Sequence, residues 1–172
     1  VSCVNALAES LEVEIHKDGK IHRMSFERGK RVKELEVVGD TDRTGTTVKY
    51  KADPEIFSTT EIDHEVVKKR MRETAYLMGT RGLTLIVKDE RIGAEDKYSF
   101  PDGLVTFVEH VNKNKTALHS DVVHITKSAV SSDGEEYEVE LAMQYTDAYQ
   151  ETVHTFVNNI NTHGGGTHLA GL

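Results

Sequence analysis

Leu11-Glu12-Val13-Glu14-Ile15-His16-Lys17-Asp18-Gly19-Lys20-Ile21-His22-Arg23-Met24-Ser25-Phe26 is the stretch on which the reading of the fold turns. Leu11, Val13 and Ile15 alternate with polar residues, which is the two-residue period of a half-buried strand. Asp18-Gly19 then separates this run from a second one carrying Ile21, Met24 and Phe26. An Asp-Gly pair between two such runs is a strong short-range signal for a β-hairpin, because both residues tolerate the positive φ that a two-residue turn requires.

Working outward, Val1, Val4, Leu7 and Ala8 stand at helical spacing ahead of the hairpin, with no capping residue before them. The chain therefore reads as one that begins inside a longer pattern. Beyond the hairpin, Val37-Val38 predicts a short strand and Gly45 to Tyr50 another. Asp63 is placed to cap a helix whose inner side carries Val66, Val67, Arg70, Met71, Thr74, Leu77 and Met78, with Glu65, Lys69 and Glu73 pairing on the outer side. Gly79 and Gly82 end it. Leu83 to Val87 predicts a buried strand and Lys97 to Phe100 its partner, across a turn at Asp89 to Gly93.

A second unit is expected from Pro101-Asp102-Gly103 onward. Leu104, Phe107, Val108 and Val111 make a short amphipathic helix, and strands are predicted over residues 122–130, 136–145 and 151–160. The glycine loop His163-Gly164-Gly165-Gly166-Thr167-His168 leads toward a final helix at Leu169 and Ala170. The class is α+β with a largely antiparallel sheet.

Composition limits function. With 29 acidic against 21 basic residues the net charge is -8, the wrong sign for a chain whose whole surface grips nucleic acid. One cysteine, Cys3, rules out an intrachain disulfide and a Cys-rich zinc site; it falls in an apolar helix pattern, which reads as structural. No apolar run approaches the length of a membrane helix and the N-terminus carries no secretory pattern, so the expectation is a soluble, cytoplasmic chain without a membrane partner. His163 and His168, taken with His119 or His124, match no metal-ligand spacing, and Ser2, Ser10 and Ser58 lack a nucleophile context. No metal site and no catalytic residue is therefore assigned.

Several stretches resemble the ATPase subunits of type II DNA topoisomerases, the gyrase B and topoisomerase IV B family. Val1-Ser2-Cys3-Val4-Asn5-Ala6-Leu7 is similar to the helix that follows the family's glycine-rich ATP lid. Thr44-Gly45-Thr46 with its following β-run looks like the adenine-site strand. Phe107-Val108-Glu109-His110-Val111-Asn112-Lys113-Asn114-Lys115 resembles the family as well. So does Asn158-Asn159-Ile160-Asn161-Thr162, followed by Gly165-Gly166-Thr167-His168 and Gly171.

The resemblance implies the C-terminal part of a GHKL-type ATPase sandwich over residues 1–100. Residues 101–172 would be the first part of a transducer domain similar to ribosomal protein S5 domain 2. It implies ATP and Mg2+ as cofactors of the complete subunit, DNA and a gyrase A-type subunit as partners, homodimerisation through the ATPase region, and coupling of ATP hydrolysis to strand passage. Thr46 and Val48 would line the adenine pocket, Thr46 through a shared water. Val1 and Ser2 would end the nucleotide lid, and Lys17 stands where relatives often carry an arginine that borders that pocket and meets aminocoumarin inhibitors.

The same resemblance puts the general-base glutamate, the magnesium-holding asparagine and the adenine-reading aspartate upstream of Val1, and the γ-phosphate lysine downstream of Leu172. The fragment alone is thus expected to hydrolyse nothing and to bind nucleotide weakly. The competing readings are a topoisomerase IV B protein and a non-enzymatic α+β interaction module that kept the scaffold without ATP chemistry.

Overall fold

Asp18 and Gly19 both take positive φ, 51° and 76°, and join β1 (Ala8–Lys17) to β2 (Lys20–Glu27) as antiparallel neighbours. The device recurs one strand later, where Arg28 and Gly29, at 48° and 77°, turn the chain into β3 (Lys30–Asp40). The sequence predicts only a short strand near Val37 here, but β3 runs for 11 residues. Its charges hide any alternation: Lys30, Arg31, Lys33, Glu34 and Glu36 are all exposed, and its pairing with β2 is broken by register shifts. β4 (Gly45–Ala52) pairs with the other side of β1, so the sheet order is β3-β2-β1-β4 and β4 is an edge.

The computed structural model describes residues 1–172, which form two compact units, Val1–Ile62 and Asp63–Leu172. In the first unit, Leu11, Val13 and Ile15 share one face of the sheet with Met24 and Phe26 on β2 and with Thr46, Val48 and Tyr50 on β4. Ile21 pairs with His16 and so faces the other way. α1 (Ser2–Ala6) precedes β1, and Ala8, expected to continue the helix, is instead the buried first residue of that strand. Cys3 is exposed and free.

The end of β4 is fastened by Asp53, only 2% exposed. Its carboxylate accepts the Glu55 N–H at 2.9 Å and meets Arg28 Nε at 2.7 Å. A carboxylate this buried needs such partners, and Arg28 reaches it from the β2–β3 turn.

In the second unit, Asp63 caps α2 (His64–Leu77) by accepting the N–H groups of Glu65 and Val66. The buried stripe differs from the predicted one. Ala75 and Tyr76 are the buried residues, with Val67 and Met71 beside them in the core, while Val66 is 65% exposed. The outer ion pairs are Lys68 with Glu65 and Arg70 with Glu73, at i,i+3 spacing rather than along Glu65-Lys69-Glu73. β5 (Thr84–Asp89) and β6 (Ala94–Ser99) form a hairpin that packs Val87 and Tyr98 against α2.

α3 (Leu104–Asn112) comes directly after Gly103. Tyr76 stacks on both Phe100 and Phe107, so packing continues across residues 100 and 101. β7 (Val123–Val130) and β8 (Glu136–Met143) make a further antiparallel pair. The single strand predicted over 151–160 does not form. Asn158 and Asn159 take positive φ, 49° and 64°, and divide it into β9 (Phe156–Val157) and β10 (Ile160–Asn161), which pair with each other. Asparagine tolerates this region better than other side-chain residues do. α4 (Thr167–Ala170) follows the glycine loop.

Candidate functional site

β4 opens with Gly45 at φ +155° and open space where a Cβ would sit, a backbone setting that suits glycine. The next residue, Thr46, lies opposite Ile15, and Val48 lies opposite Val13. Cross-strand partners and residues two apart share a face, so Thr46, Val48, Ile15, Val13 and Lys17 all point to the same side of the sheet. Thr46 and Lys17 are exposed and Val48 is 44% exposed. Three of the five expected site residues therefore meet at one end of one face: a hydroxyl and a cation beside an aliphatic strip. A flat heterocycle with a polar edge suits such a shelf, its face on the valines and its edge at the hydroxyl.

Val1 and Ser2 are not brought to that end. The Asp53 N–H donates to the Leu7 carbonyl at 3.2 Å, which pins the base of α1 where β4 finishes. From Ala52 back to Thr46 is a rise of roughly 20 Å at about 3.3 Å per residue. α1, with 5 residues, spans only about 7.5 Å at about 1.5 Å per residue. A hollow of about 270 Å³ lined by Val4, Leu7, Tyr50, Ala52, Phe57 and Ile62 lies at the α1 end too.

The opposite face of the same sheet end holds a polar group that sequence patterns alone did not assemble. His16, 7% exposed, sets Nε2 3.0 Å from Glu14 Oε1 and Nδ1 2.9 Å from Thr41 Oγ1. Arg23 donates to Glu14 Oε2 from Nη2 at 2.6 Å and from Nε at 3.2 Å. The Arg23 hydrogen bonds, and then that of His16, hold the Glu14 carboxyl down at about 2. Glu14 and His16 stand two apart, so their shared face was legible. Thr41 was not, because its place depends on the full length of β3.

His168, His124 and His119 of the second unit each have a separate partner. His168 Nε2 lies 3.1 Å from Thr162 Oγ1, His124 pairs with Glu140, and His119 bonds the main chain at Asp121 and Tyr145.

Comparison with known proteins adds four findings. Residues 103–172 match the family model described as DNA gyrase B. The chain is 47% identical over 172 residues to the DNA gyrase B protein of Thermotoga maritima, a match covering 98% of this chain and 27% of that protein. The chain belongs to the DNA gyrase B family.

A second member, the B protein of the type 2 topoisomerase of Aquifex aeolicus, is 45% identical over 171 residues, 99% of this chain and 21% of its own. The fold agrees as well. The crystal structure of the 43K ATPase domain of Thermus thermophilus gyrase B in complex with an aminocoumarin superposes with a TM-score of 0.83 at 34% identity, over 96% of this chain and 44% of that one. The α+β architecture is thus that of the gyrase B ATPase region. The chain spans about a quarter of the length of the gyrase B relatives it matches.

Proposed function

We propose that this chain is a working part of the ATP-binding and transducing region of a bacterial type II DNA topoisomerase, and that it couples ATP binding and hydrolysis to strand passage and supercoiling. Residues 1–100 belong in this reading to the ATPase domain and residues 101–172 to the transducer. The family match that begins at Gly103 supports that boundary. Tyr76 stacked between Phe100 and Phe107 supplies a tight seam there rather than a linker.

The observation that carries the nucleotide assignment is the shared face of Thr46, Val48 and Lys17. The adenine of ATP would lie on the Val48 side, with its amino group reaching the Thr46 hydroxyl through water, and Lys17 would border it. Val1 and Ser2, at the other end of the sheet, would serve the lid over the phosphates. The residues present fit the base of a nucleotide. They include no general base and no phosphate-neutralising group assigned to hydrolysis, so Mg2+ and the γ-phosphate belong to other parts of the complete protein. The net charge of -8 argues for DNA contacts elsewhere in the assembly, with a gyrase A-type subunit and a second copy of the ATPase region as partners, in the cytoplasm.

The test replaces the matching segment of T. maritima gyrase B by this chain and reconstitutes the enzyme. ATP-dependent supercoiling is expected, lost on Thr46→Ala at limiting ATP and recovered at high ATP. A folded chimera that binds no ATP supports an interaction module instead, and one that decatenates without supercoiling supports a topoisomerase IV protein.

A further inference from the structure

We infer that His16 is a positioning residue for the nucleotide strand: its ring, fixed by Glu14 and Arg23, latches Thr41 and thereby sets the β3–β4 connection that presents Gly45 and Thr46. The inference rests on the nucleotide reading of Thr46 proposed above.

The hydrogen-bond chemistry closes without a free valence. A carboxylate only accepts, so the Nε2 atom 3.0 Å from Glu14 carries a proton and donates it. In the neutral ring Nδ1 is then an acceptor, and the Thr41 hydroxyl donates to it at 2.9 Å. The Thr41 oxygen in turn accepts the Arg43 N–H at 3.3 Å, and the Thr41 N–H donates to the Gly19 carbonyl at 3.1 Å. Residues 41–44 are thus tied to the β1–β2 turn through the main chain and to His16 through the side chain. Arg23 grips the far oxygen of Glu14, so the carboxylate cannot swing away from the ring.

The latch acts beside the start of β4. His16 stands directly opposite Gly45 in the register, one residue from Thr46. β4 is a sheet edge with β1 as its neighbour, and nothing packs where a Gly45 side chain would be. The start of the strand is where its ladder to β1 meets the tethered loop that enters it. A buried histidine serving stability alone would alter unfolding without altering which base is preferred.

That difference is measurable in the T. maritima chimera. Thr41→Val and His16→Gln are each expected to raise KM for ATP about fivefold, as loss of one buried hydrogen bond does. kcat should hold within about twofold and the preference for ATP over GTP should narrow, while Thr41→Ser, which keeps the hydroxyl, should behave as the parent. If Thr46→Ala raises KM but Thr41→Val and His16→Gln lower only Tm, the latch is overturned and the nucleotide reading stands. If Thr46→Ala leaves KM unchanged, both are overturned. Should His16→Gln not fold, Thr41→Val decides alone: in the 172-residue chain it should speed amide exchange at Gly45 and Thr46, and unchanged exchange there refutes the latch.

Discussion

The ring of Tyr76 lies on that of Phe100 with 3.9 Å between centroids and 18° between planes. Phe107 stacks with Tyr76 as well, at 5.1 Å. Tyr76 is 4% exposed, so Tyr76→Ala removes both stacks and leaves a cavity, for a loss of about 3 kcal/mol or more. Tyr76→Phe keeps the stacks and should cost under about 1 kcal/mol. Urea unfolding monitored by far-UV dichroism gives both numbers, and equal losses for the two variants would refute the stacking account.

Gly79 is needed for space rather than for turn geometry. A Cβ there would sit 1.8 Å from the Phe100 carbonyl oxygen and 2.8 Å from its carbon, so backbone would have to move. Gly79→Ala should destabilise by about 2 kcal/mol. Gly164→Ala, which meets nothing within 4 Å, should lie within about 0.5 kcal/mol of the parent in the same assay.

Acid sensitivity should come from one carboxylate in each unit. Arg23, then His16, holds Glu14 at about 2, and Arg91 holds Asp89 at about 2. Both lie below the ordinary values of 4.5 and 3.8, so the folded state binds fewer protons there than the unfolded one. The stability they give is complete above about pH 4.5 and is lost as the pH falls toward 2. Tm measured across this window should fall less steeply in Glu14→Gln and in Asp89→Asn. Parallel curves would remove these two groups as the cause.

Asp53 offers a graded test of a buried pair. Asp53→Ala strands the Glu55 N–H and removes one of the two carboxylates on Arg28, which keeps its pair with Glu55 at 2.7 Å and is half-exposed, for an expected loss of about 2 kcal/mol. Asp53→Asn retains an acceptor for Glu55 and should lose about half as much. Chemical denaturation should rank the parent, Asn and Ala forms in that order.

What the sequence made legible was the chemistry of local turns and the two-residue period. Asp18-Gly19 announced its hairpin, and Thr46 and Val48, two residues apart, share a face by the same period; that Lys17 joins them follows only from the pairing of β1 with β4. Arg28-Gly29 turns the chain just as tightly, yet arginine is no turn marker and the charged strand after it shows no alternation. On α2 the apolar pattern misled by about one position: Ala75 contributes little hydrophobicity but is fully buried, while Val66 faces outward. Asn158 and Asn159 broke a run that β-propensity alone would have kept whole. Thr41 lies 25 residues from His16, and no local pattern encodes a contact whose distance is set by how far an irregular edge strand extends.

The position of β4 at the end of its sheet has a practical side for anyone handling the chain alone. Alternate peptide groups along its outer rim face away from β1, which makes half a ladder over the 8 residues of the strand. The lysines that commonly guard such a rim, Lys49 and Lys51, are drawn across the strand toward Glu12 and Glu9. The rim is therefore chemically complementary to itself, and two copies laid side by side would extend one sheet into another.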